Sequence, residues 1–127
     1  MRPSRPLLHK ARMADAVLFW PLLAYVVWGE VVPQVPDYLA QTSDKVLHFG
    51  AFFCLAAMAA ASLKRRGPTM AAVAGLIVLG GILEIIQGFV GRDMSFYDEL
   101  ANAEGALSGG IIARLIVEYA RRRFGYR

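Results

Sequence analysis

The chain has 127 residues, is 57% hydrophobic and only 19% charged, and carries a net charge of +4 with a mean hydropathy of +0.44. Ordinary soluble domains are about 45–50% apolar and about 25% charged, so the composition excludes a disordered chain and a typical soluble enzyme and points to a membrane protein. The length fits one domain, and four spans of about 20 residues each would use most of it.

The first predicted span covers 15–32. Its uncharged centre is short, so Asp15 and Glu30 are expected to mark its two ends. Pro21 falls inside it, which a membrane helix tolerates because neighbouring groups satisfy the freed carbonyl. Trp20, Tyr25 and Trp28 suit interfacial or packing positions. A cleaved signal peptide would explain the basic start equally, but no small-residue cleavage site follows Trp28. The second span covers 44–63, with Ser43 or Asp44 expected to cap it through a side-chain oxygen. The lone Cys54 lies in this span; it excludes an internal disulfide and is expected to pack rather than react. The third span covers 68–90 and opens on Pro68, where a missing N–H costs nothing. The fourth covers 97–119 and is interrupted by Glu104 and Arg114. Arg114 is expected to snorkel toward one face, whereas Glu104 needs an internal partner or a wet cavity. A soluble four-helix bundle needs a polar face on each helix, and neither GAFFCLAAMAAASL (50–63) nor AAVAGLIVLGGIL (71–83) has one.

Lys and Arg orient this four-span, all-α arrangement. Arg2, Arg5, Lys10 and Arg12 precede the first span, Lys64 to Arg66 lie between the second and third, and Arg121 to Arg123 with Arg127 follow the fourth. All three clusters fall on one side, which the positive-inside rule makes cytoplasmic, with both termini there. Sorted by side, twelve Lys and Arg against Asp15 and Glu118 give +10 inside. Lys45 and Arg92 against Glu30, Asp37, Asp44, Glu84, Asp93, Asp98, Glu99 and Glu104 give −6 outside. The basic runs read as topology signals with some attraction for anionic headgroups, and no nucleic-acid motif or aromatic platform accompanies them.

The polar residues at the span ends carry the functional signal. Asp44 and His48 are four apart, Glu84 and Gln87 three apart, and Asp98 and Asn102 four apart, so each pair shares a helix face. The topology brings the start of span two, the end of span three and the start of span four to the outer side, with Arg92 near enough in the chain to fold over them. Ionisable groups in a membrane are costly and either pair or serve a pathway. His48 is the natural acid or base near neutral pH, unless it is a bonded structural histidine. His48, Glu84 and Asp98 are the catalytic candidates; their ligand types suit a metal, but the spacing is no metal motif, and neither a metal nor another cofactor is expected. Gly105 and Gly109 form a G-x-x-x-G step, with Ala101, Ala106 and Gly110 beside it, for close packing inside the chain or for a homodimer or partner helix. Gly75, Gly80 and Gly81 are expected to do the same in span three.

Three blocks resemble the VanZ-like family, named for a teicoplanin-resistance membrane protein. DKVLHFGAF (44–52) resembles its Asp-Lys-x-x-His-Phe opening, EIIQGFVGRDMSFYD (84–98) its Glu-x-x-Gln, Arg and Ser-x-x-Asp block, and DELANAEGALSGG (98–110) its Asp-x-x-x-Asn-x-x-Gly-x-x-x-Gly block. The resemblance implies a single polytopic domain over 1–127, a role in sensitivity to envelope antibiotics, and counterparts for Asp44, Lys45, His48, Glu84, Gln87, Arg92, Asp98, Asn102 and Gly105. Two positions depart from it: Glu104 stands where the family usually has an apolar or small residue, and FVGRDMS (89–95) lacks the proline common before its arginine.

Three functions compete. In the first, the chain binds or modifies an envelope lipid or lipid-linked headgroup, Arg92 and Lys45 holding its phosphate or carboxylate and His48 with Asp44 or Glu84 supplying acid–base chemistry. No nucleophile motif names a reaction, so whether the chain is an enzyme stays open. In the second, a non-catalytic structural or interaction subunit uses the polar network only to lock its helices. In the third, an ion or proton pathway runs through Glu84 and Glu104.

Overall fold

The computed structural model describes residues 5–34 and 43–125. Arg2, Asp37 and Arg127, counted above by side, lie outside them. Four helices follow one another: α1 (Arg5–Val31), α2 (Asp44–Ser62), α3 (Arg66–Phe89) and α4 (Phe96–Phe124), with no strand among the described residues. Each is long and apolar enough to cross a membrane, giving an all-α, multi-pass architecture. At about 1.5 Å per residue, α2 reaches about 28 Å, close to the hydrocarbon thickness, and α4 about 43 Å.

The helix ends differ in places from the sequence reading. α1 begins at Arg5 rather than near Asp15, and Pro21 lies within it without ending it. α4 continues to Phe124, beyond 119, because nothing breaks its basic last turns until Gly125 adopts φ 69° and its N–H bonds Arg121 O at 2.9 Å. α3 starts at Arg66, so Pro68 sits within the first turn, where its missing N–H still has no intrahelical partner to lose. Ser43 precedes α2 without a side-chain capping bond; only its carbonyl enters the helix, accepting from Val46 N at 3.0 Å and Leu47 N at 3.1 Å. Among the described residues a side-chain cap opens α4, where Ser95 Oγ accepts from Asp98 N at 3.4 Å.

Lipid tails are as apolar as leucine, so helices in a bilayer associate by close packing rather than by expelling water. Here the packing centres on α2 and α4, which run in the same direction and form the most extensive helix pair. Gly105 and Gly109 face the backbone of α2: an added Cβ would strike the Phe49 carbonyl at one and the Phe53 carbonyl at the other. The G-x-x-x-G step therefore serves the interior of the chain, and a second copy could reach these glycines only by displacing α2. Gly110 lets Val73 of α3 approach, and Gly80 of α3 lies against Glu99 and Asn102. Gly75 has open space, so it does not share the packing role expected of it. Phe52, Leu55, Ala56 and Ala60 of α2, Leu76 and Leu83 of α3 and Ala106 of α4 fill the interior.

α1 is the most exposed helix, with 11% of its span buried against 33% for each of the others, and it packs on α2 and α3. Trp20, Tyr25 and Trp28 face outward from it. Cys54 is exposed too: it lines the cleft between α1 and α2 rather than the packed interior expected of it.

The two ends of the bundle carry different chemistry. The basic end gathers the start of α3, the end of α2 and the late turns of α4. There Arg66 clasps Glu118 with Nε to Oε1 at 2.8 Å and Nη2 to Oε2 at 2.6 Å. Arg114 Nε reaches the same Oε1 at 2.9 Å and donates onward to the carbonyls of Leu63 and Lys64 at 3.3 Å each. Arg121 adds a 2.9 Å bond to Lys64 O. The two carbonyls that follow α2 are thus covered by α4 guanidinium groups, so Arg114 reaches protein carbonyls at this end.

Candidate functional site

The opposite, acidic end gathers the end of α1, the start of α2, the end of α3 and the start of α4. His48 is its centre, 3% exposed on the second turn of α2. Three oxygens from three other helices surround its Nδ1: Asn102 Oδ1 at 3.1 Å, Glu30 Oε1 at 3.2 Å and Glu84 Oε1 at 3.8 Å. The far side of each of these residues is held by a further bond. Gln87 Nε2 donates to Glu30 Oε2, Ser95 N donates to Glu84 Oε2 at 3.0 Å, and Asn102 Nδ2 donates to Glu99 Oε2 at 3.3 Å. Each inner oxygen is therefore turned toward the imidazole by an outer bond. Acceptors outnumber donors around it, and Glu84 Oε1 is buried without a hydrogen bond among the described residues, as is Asp98 Oδ1.

The turn after α3 builds one wall. Val90 and Gly91 leave the helix, Gly91 at φ 85°, a conformation that costs glycine little and other residues more. The chain then folds back so that Arg92 N bonds Gln87 O at 3.0 Å, the long bond of a Schellman ending. This glycine does the turning in a loop without proline. It sends the Arg92 side chain to the last turn of α1, where Nη1 donates to Gly29 O at 3.0 Å and Glu30 O at 3.1 Å. Arg92 thereby fixes the backbone of Glu30 while Gln87, five residues earlier, fixes its carboxylate.

Of the residues singled out from sequence, the structure brings His48, Glu84, Gln87 and Asn102 together in the interior, and places Asp98 beside them. Asp44 is exposed at the start of α2 and makes no direct bond to His48, although both line one cleft. Lys45 is largely exposed and lies 3.9 Å from Asp98 Oδ1, an ion pair beyond hydrogen-bond length. Arg92 stands on α1 carbonyls rather than free above the cluster. Glu104 is exposed and lines a separate shallow groove with Lys45, Phe49 and Tyr97, so it neither has an internal partner nor joins Glu84.

The residue missed from sequence is Glu30. It stands at the end of α1 as expected, but it is only 9% exposed there and touches His48 and Gln87. Its signal was present, because the topology puts the end of span one on the same side as the other polar residues, but no spacing links it to any of them. The donor set the fold assembles is also different. Glu30, His48 and Glu84 present ligand atoms within 4.8 Å of one another, with Glu30 in the place that the sequence suggested for Asp98.

The cluster opens on a cleft of about 330 Å³ between α1 and α2. Its walls are apolar, from Leu22, Val26, Leu47 and Ala51, and its polar end is formed by Glu30, Asp44, His48 and Arg92. Comparison with known proteins finds no matching family model, no matching curated protein and no matching solved structure. The geometry therefore carries the functional argument. A second groove, of about 420 Å³ between α3 and α4, ends at the basic end on Arg66, Arg114 and Glu118, whose charged groups already bond one another.

Proposed function

We propose that this chain is a VanZ-like inner-membrane protein that binds an envelope lipid or lipid-linked headgroup from the outer leaflet. The observation that carries the reading is the cleft between α1 and α2, with apolar walls suited to a lipid chain and a buried histidine–carboxylate cluster at its polar end. The basic end faces the cytoplasm in this reading, with both termini, because short Lys- and Arg-rich segments stay inside. The cleft then lies at headgroup depth, where hydroxyl or amine groups of a ligand would meet Glu30, Asp44 and His48. The guanidinium nitrogens of Arg92 that are not on α1 carbonyls supply positive charge at the mouth. His48 is the group suited to proton transfer if a reaction occurs there.

One feature favours a second reading, in which the network only locks the bundle: the site residues bond one another between elements, His48 to Asn102, Gln87 to Glu30 and Ser95 to Glu84. A deletion strain decides between them, scored for envelope-antibiotic sensitivity and envelope lipid composition and rescued by wild type or by single variants. On the lipid-binding reading, His48→Ala, Glu84→Gln and Asp44→Asn remove rescue while the protein is still made and inserted. Retained rescue by all three would sink it, and loss of folded protein in step with rescue would favour the locking role. Impermeant maleimide on Arg122→Cys in a Cys54→Ala background tests the orientation: labelling only after permeabilisation is expected, and labelling of intact cells would reverse it.

A further inference from the structure

We propose that Glu30, His48 and Glu84 bind one divalent transition-metal ion of the zinc class inside the bundle, whether or not a lipid occupies the cleft. Zinc takes imidazole nitrogen and carboxylate oxygen at about 2.0–2.1 Å, which in a tetrahedron sets neighbouring donors roughly 3.3 Å apart. His48 Nδ1 lies 3.2 Å from Glu30 Oε1 and 3.8 Å from Glu84 Oε1, on either side of that spacing, and all three donors fit within 4.8 Å. Asn102 Oδ1, 3.1 Å from the same nitrogen, offers a fourth donor; otherwise water from the cleft can take that position.

An independent observation points to a cation here. One Nδ1–H can serve only one of the three oxygens around it well, and Glu84 Oε1 is left buried and unbonded while aimed at the imidazole. Glu84 as a whole is only 4% exposed. A metal ion ligated by Nδ1 and the carboxylates would satisfy these acceptors together. Two carboxylates would also balance a dication, leaving little net charge in a low-dielectric interior.

The outer bonds fit the same role. Gln87 on Glu30, the Ser95 N–H on Glu84 and Glu99 on Asn102 each orient an inner oxygen, as the partners of metal ligands do. No cationic side chain substitutes for the ion within bonding distance of the inner oxygens among the described residues. Lys45 is at Asp98 and the bonded nitrogen of Arg92 is on backbone carbonyls. The imidazole selects against calcium, which takes 6–8 oxygens, and for zinc, copper, iron or nickel.

The test uses the full chain, purified in detergent without a polyhistidine tag and stripped with chelator. Titration with Co²⁺ should saturate at one ion per chain, with visible d–d bands that Zn²⁺ abolishes by displacement. X-ray absorption of the zinc form should show imidazole nitrogen with oxygen donors and no sulfur. Glu84→Gln and His48→Gln should lose the bands, Gln87→Leu should weaken binding by about 10-fold or more, and Glu104→Gln should bind as wild type does. Absence of saturable one-to-one binding by wild type, or a shell without imidazole, would overturn the proposal even if variants fail to fold. Unchanged bands in both ligand variants would overturn it as well. The measurement contains no envelope lipid, so its outcome is separate from that of the rescue experiment.

Discussion

At the basic end of the bundle, Glu118 faces two guanidinium groups, and the spare N–H groups of Arg114 and Arg121 cover the carbonyls of Leu63 and Lys64 just after α2. At the acidic end, one histidine nitrogen faces three oxygens, and a buried carboxylate oxygen has no bond among the described residues. Both ends tie helices together, but only the first does so with donors and acceptors in balance. That contrast is what the proposed binding role of the acidic end rests on. A site that receives a ligand keeps unsatisfied groups that a purely structural site would remove.

The largest expected effect breaks the spine that both ends share. Gly105→Leu drives a side chain into the Phe49 backbone and should cost at least the ~1–3 kcal/mol of ordinary overpacking. It should appear as loss of a monodisperse species in detergent, whereas Gly75→Ala, which meets open space, should purify normally. Next comes His48→Ala, which takes the N–H from Asn102 Oδ1 and Glu30 Oε1 and should lower stability by about 1–3 kcal/mol in thermal or denaturant unfolding. Arg92→Gln uncaps the last turn of α1 and should cost about 1 kcal/mol, with faster amide exchange confined to α1 near Gly29 and Glu30.

The smallest shift is the sharpest test of the contrast. Glu118→Gln should lower the unfolding midpoint because it unpairs Arg66 and Arg114. Glu84→Gln should leave the midpoint of the metal-stripped protein unchanged or raise it, within about 1 kcal/mol, because its inner oxygen has no bond to lose. If the two variants change places in this comparison, the acidic end is the structural one and the distinction drawn between the ends fails.

The helix count was legible because span length and apolarity are local properties, read within about 20 residues. Shared faces were legible for the same reason: Glu84 with Gln87, and Asn102 with Gly105 and Gly109, follow from helical spacing alone. Positions that depend on one helix finding another were not. Cys54 belongs to an apolar run whether it faces core or lipid, since both are apolar, and only the packing of the helices left it exposed on the α1–α2 cleft. Glu104 shares its helix with Asn102 but not its face, so it lies on the exposed side while Asn102 is interior.

The sequence by itself determined four apolar helices, their charge asymmetry from end to end, and which polar residues share each helix face. Tertiary structure decided that Glu30 joins His48, that Arg92 serves the end of α1, and that the glycine step is occupied by α2. The reason is range: helix formation and burial pattern are set by neighbours three and four residues away, whereas Glu30 and Glu84 lie 18 and 36 residues from His48 in the chain and meet it only when the helices pack.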